Sequence, residues 1–158
     1  MSTAVAIDVA DAVAAALNAA PDGTFNETVA AVRAYVARFE PSDLTALKVT
    51  VVPKSLEVER ADRAQTRNEY AIDIAIQKKL SELPDDADCI VDNDEVDALM
   101  LLVQQIAEHI ASLGRLTTYT AAKWIGTANS PIYSQEHLIE KRTFTSVLTL
   151  TFRVDRNA

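Results

Sequence analysis

Seven carboxylates crowd into 13 residues, Asp85, Asp86, Asp88, Asp92, Asp94, Glu95 and Asp97, with no basic residue among them. Such density is where a divalent cation would be sought, because hard cations take their ligands from closely spaced acidic oxygens. The calcium-loop spacing is not met. With Asp92 as the first ligand, Asp97 falls where the turn glycine must stand and Val103 where the bidentate Glu must. The position argues for a helix start, at which Asp92, Asp94 and Glu95 cap free N–H groups and complement the positive end, at roughly 0.3–1 kcal/mol per charge. A metal-dependent hydrolase using the 85–97 cluster stays as an alternative function.

The other groups able to do chemistry are sparse. His109 and His137 are the only histidines; no second His or carboxylate sits four residues from His109, and no nucleophile motif lies near His137. Cys89 stands alone among aspartates, which would suppress its thiolate, and no G-x-S-x-G elbow occurs. Only Gly23, Gly114 and Gly126 are present, so neither a dinucleotide fingerprint nor a P-loop can be written. No enzyme, no catalytic residue, no metal set and no cofactor is expected.

A third cluster has a different character. Between Lys54 and Asn68 stand Lys54, Arg60, Arg63 and Arg67 beside Glu57, Glu59 and Asp62, for a net charge of +1 and no apolar period. The segment reads as a long charged loop. Structureless connections of that length are uncommon in compact domains and are often functional. Mixed charge on a projecting loop suits pairing with another subunit, where charges set register more than affinity. Lys54, Arg60, Arg63 and Arg67 are therefore the candidate subunit-contact residues.

These clusters hang on elements that the hydropathy pattern outlines. Val5, Val9, Val13 and Leu17 recur every four residues with alanines beside them, predicting a helix within 1–22 that starts at Ser2 or Thr3 and ends at Pro21-Asp22-Gly23. Residues 25–40 satisfy both helix and strand periods; turn signals at both ends favour strand over 26–39. Leu47–Pro53 reads as a short strand that Pro53 stops. Tyr70, Ile72, Ile74 and Ile76 alternate with small or polar residues, the pattern of a strand with one buried face. A second helix runs from Asn93 to Leu113, its buried face made by Val96, Leu99, Met100, Val103, Ile106, Ala107, Ile110 and Leu113, with Gly114 as its cap. A strand over 118–126, a turn near Asn129-Ser130-Pro131, a short helix over 134–140 and a terminal strand from Phe144 complete the order. That order predicts an α+β fold, a mainly antiparallel sheet of about five strands with two main helices packed on one face.

Length and composition bound the rest. The chain has 158 residues, long enough for one domain over 1–158. Apolar residues make up 49%, but alanine supplies 26 of those 77, so the core is lean. A formal charge of −8 argues against dedicated nucleic-acid binding, which needs a basic footprint. One cysteine, no cationic leader and no uninterrupted apolar stretch of about 20 residues predict a cytoplasmic chain without disulfide or membrane span. Another alternative is a cytosolic module holding a small ligand between helices and sheet.

The block Leu47-Lys-Val-Thr-Val-Val-Pro-Lys-Ser55, the charged loop after it, the strand Glu69–Gln77, the helix Val96–Ser112 and the ending Phe144–Val154 together resemble small tail-completion proteins of tailed bacteriophages and prophages, chiefly tail terminators and head–tail joining proteins. The resemblance covers the chain from about Phe25 onward and rests on element order. It implies a non-enzymatic structural subunit that forms a homo-oligomeric ring, a hexamer by analogy, and partners the tail tube and head connector. It also implies bacterial host cytoplasm and then the virion as its location, and it matches the 54–68 loop to an arm used in ring contacts.

Overall fold

The computed structural model describes residues 3–37, 44–83, 89, 91–130 and 132–157. Along them run α1 (Val5–Asn18), β1 (Ala31–Arg33), β2 (Lys48–Arg60), β3 (Gln65–Lys79), α2 (Asn93–Leu113), β4 (Lys123–Asn129), α3 (Gln135–Lys141) and β5 (Thr143–Asn157). The strands lie in one sheet in the order β1-β2-β3-β5-β4. β1 pairs with β2 in parallel; the other three pairings are antiparallel. The fold is thus α+β with a mostly antiparallel but mixed sheet, and three helices stand where two main ones were expected.

The core follows from alternation along the central strands. Ile72, Ile74 and Ile76 of β3 are fully buried, and the register sets them opposite Leu150, Leu148 and Ser146 of β5. Val49 and Val51 of β2 continue the same face opposite Ile76 and Ile74. Against it lie α1 on the β1–β2 side and α2 on the β4–β5 side. The opposite face carries Ala71, Asp73, Ala75, Thr149 and Thr151, small or polar as the pattern requires.

The stripe of α1 is Val9, Val13 and Leu17, flanked by buried Ala10, Ala12, Ala14 and Ala16, whose short side chains let the helix seat closely on the sheet. Its N-cap is Ala4 and contributes no side-chain hydrogen bond. Thr3 is thus not the cap, and Ser2 lies outside the described residues. At the far end the Asn18 carboxamide donates to the Ala31 carbonyl (3.0 Å) and accepts from the Ala31 N–H (2.8 Å), fixing β1 to α1.

α2 occupies the expected range. Leu99, Leu102, Val103, Ile106 and Ile110 are its buried residues, while Leu113, expected inside, is 37% exposed at the last turn. Gly114 follows with φ of 68°, which favours glycine. Among the described residues α2 alone has the length and mean hydropathy (1.2) of a membrane span. Its apolar stripe is already packed into the core, as in the central helix of many globular folds.

Four segments depart from expectation. Of 26–39, only Ala31–Arg33 is strand among the described residues, and 38–40 lie outside them. The reason is that Asn26 turns toward α2, its N–H bonding Gln105 Oε1 (2.8 Å) and its carboxamide the Ala98 carbonyl (2.9 Å). Pro53 does not end β2: the ladder shifts register at Lys54 and resumes at Ser55. The expected loop 54–68 is instead the distal half of the β2–β3 hairpin. The strand placed at 118–126 begins only at Lys123, because Leu116–Ala122 closes on itself through Leu116 N–H to Ala122 C=O (3.2 Å) and Ala122 N–H to Tyr119 C=O (3.0 Å). Pro131 of the expected 129–131 turn lies outside the described residues.

Candidate interaction surface

β2, β3 and β5 contain 13, 15 and 15 residues, more than twice the usual strand length. β1 covers only Val49–Val51 of β2, and β4 covers only Leu148–Arg153 of β5. Past those limits the three long strands continue as a ribbon, with 55–60 paired to 66–71 and 65–68 to 154–157. Every residue of β2 from Lys54 to Arg60 is exposed, although on the helix-side face Tyr70, Phe152 and Val154 remain buried. Leu56 and Val58 are 48% and 55% exposed on that face, at an edge that no strand covers among the described residues. A free edge with alternating apolar side chains is a template for another chain.

Asp62 closes the ribbon. Its carboxylate accepts the N–H groups of Ala64 (2.7 Å) and Gln65 (2.9 Å), and its own N–H and that of Ala61 bond the Gln65 carbonyl at 3.3 and 3.1 Å. An aspartate that bonds its own chain two and three residues on is a turn former, and this was the local signal for a hairpin.

The four candidate contact residues fall on this ribbon in different roles. Arg60 Nε donates to the Asp62 carbonyl at 3.2 Å and so braces the turn. Arg63 is exposed at the tip. Arg67 is exposed between Glu59 and Asp155, its partners in register on either side. Lys54 sits at the bulge with Nζ 3.9 Å from Asp73 Oδ1, and Asp73 also accepts the Thr149 hydroxyl at 2.6 Å. The ribbon thus carries all four, but not as one basic patch.

The remaining candidates have structural partners. Asp92 caps α2 by accepting the Asp94 N–H at 3.0 Å, and Glu95 accepts the Ser81 N–H at 3.3 Å. Asp94 and Asp97 are exposed, while Asp85, Asp86 and Asp88 lie outside the described residues. No group of three or more potential metal ligands occurs among the described residues. His109, expected on a polar face, is half-buried, with Nε2 3.3 Å from the Ala16 carbonyl and its ring edge-to-face with Phe25. His137 pairs with Thr145 Oγ1 through Nδ1 at 2.8 Å, so each histidine ties a helix to a separate neighbour. Arg33 binds Asp11, and that hydrogen bond holds its guanidinium pKa above the ordinary value. Surface hollows lie beside the 21–29 loop and between α1 and α2 near His109.

No family model matches the sequence, and no curated protein does. Among solved structures the chain is similar to a sheath/tube terminator of an extracellular contractile injection system, PVC, in its extended state. The similarity extends over 99% of this chain at 11% identity with a TM-score of 0.47. The chain spans about three fifths of that protein, 59% of its length.

Proposed function

We propose that this chain is a non-enzymatic assembly subunit of a phage or prophage tail, a tail-terminator-like protein that forms a homo-oligomeric ring, a hexamer by analogy, between tail tube and head connector. The observation that carries the reading is the ribbon of β2, β3 and β5, which runs past the strands β1 and β4 and leaves an exposed, partly apolar strand edge from Lys54 to Arg60. Monomeric proteins blunt such edges, whereas a cyclic assembly satisfies one in every copy. The element order shared with tail-completion proteins agrees with this use, and it points to the host cytoplasm followed by the virion.

Light scattering combined with co-sedimentation tests the reading. The purified protein should show a concentration-dependent mass above that of one copy and should sediment with tail tubes formed from the tube protein encoded beside it. A strict monomer at about 0.5 mM that leaves tubes in the pellet and itself in the supernatant defeats the proposal, since an interface of ordinary size gives micromolar affinity or better.

A further inference from the structure

One cross-strand row of the sheet is sorted by charge. The register places Arg115 opposite Lys123, Lys123 opposite Arg153, Arg153 opposite Glu69 and Glu69 opposite Glu57. Directly opposed residues of a sheet point to the same side, here the side away from α1 and α2. Three bases therefore occupy the β4 margin and two acids the β2 margin. Only the central pair is of opposite sign, Arg153 to Glu69 at 3.2 Å. Lys123 beside Arg153 and Glu69 beside Glu57 are like-charge neighbours, an arrangement that destabilises an isolated sheet.

Among the described residues both ends of the row are open. Glu57 is exposed on the free edge of β2, and Arg115 and Lys123 are exposed where the Gly114–Leu116 segment borders β4. Arg115 Nη1 bonds a backbone carbonyl, that of Thr120, at 3.1 Å, and among the described residues Arg115 forms no ion pair. Apolar groups accompany both margins, Leu56 and Val58 beside Glu57 and Leu113 next to Gly114.

We infer that the β2 margin of one copy docks on the β4 margin of a second copy, Glu57 meeting Arg115 and Lys123. Continuing the row across that contact sets an acid against a base and compensates the like-charge neighbours on each side. Because the two margins differ, the contact is heterologous and propagates from copy to copy until it closes. A two-fold pairing of β2 margins would instead oppose Glu57 to its equivalent or to Glu59, which charge disfavours. The inference deepens the assembly reading and rests on it for a closed ring, while the complementarity belongs to this chain alone.

The test uses the full chain and three proteins: wild type, Glu57→Lys, and the double variant Arg115→Glu with Lys123→Glu. Sedimentation velocity should show wild-type assembly and a loss of at least about tenfold in association constant for each variant alone, since like charges then meet across the contact. Mixing the two variants should restore assembly, because the base introduced at position 57 of one then meets the acids introduced in the other, and the unaltered margins still match. Unfolding midpoints matching that of wild type establish that the fold is intact, as expected for exposed positions. Wild-type-like assembly of both variants overturns the pairing while leaving the ring; no rescue on mixing also overturns it. If wild type does not self-associate, the pairing falls. Rescue by mixing without tube binding supports the pairing and removes the tail role.

Discussion

The sheet has a base and an arm that are built from the same three strands on opposite principles. At the base, Ile72, Ile74, Leu148 and Leu150 are sealed between the strands and two helices. In the arm, β2 from Lys54 to Arg60 is wholly exposed, and what holds it is backbone pairing, the Asp62 turn and one buried stripe of Tyr70, Phe152 and Val154. The base is stabilised by area removed from water, the arm by directional bonds. Damage to the base should therefore unfold the molecule, whereas damage to the arm should change what the molecule binds.

The largest effect belongs to the base. Ile74→Ala removes a fully buried side chain at the middle of the sheet and should cost about 2–5 kcal/mol in denaturant unfolding. Next, Asn18→Ala breaks both bonds to Ala31 and should cost about 1–3 kcal/mol, with early hydrogen exchange in Ala31–Arg33. If Ile74→Ala were as mild as an arm variant, the division drawn between the two regions would collapse.

Asp62→Ala moves to the arm and should lower global stability by about 1 kcal/mol or less while exchange quickens across the ribbon tip. Uniform loss of protection over the whole sheet would mean that the arm and base unfold as one unit. Smallest in stability per substitution, charge reversal of Arg60, Arg63 and Arg67 together should shift unfolding by about 0.5 kcal/mol per site at most, yet impair assembly measured by light scattering. Unchanged assembly would remove the ribbon tip from the contact.

What the sequence made legible follows the same division. α2 and β5 are readable because one burial environment persists for many residues, as in Phe144, Leu148, Leu150 and Phe152 on one face. The arm hid because its alternation changes phase: Val49 and Val51 carry the helix-side face before Lys54, Leu56 and Val58 after it. One inserted residue exchanges odd for even, so a period sought across 47–60 averages to nothing. The three-residue β1 is held by Asn18 and Val51, partners remote from its own sequence, which local pattern does not reveal. The charged row was equally invisible, because Glu57, Glu69, Lys123 and Arg153 become neighbours only through register.

The two register shifts have a geometric consequence. Between the rows of Asp73 and Glu69, β3 spends five residues, 69–73, and β2 spends six, 52–57. On the other flank β5 spends five, 149–153, and β4 six, 123–128. Both outer strands therefore carry surplus arc length over the same span as the inner pair. A surface whose margins are longer than its midline is a saddle, and the surplus adds to the right-handed twist that strands already have. The direction in which the arm leaves the body is thus written into the chain by Lys54 and Ile125. Deleting either should leave the pairing of every other residue intact and re-aim the ribbon.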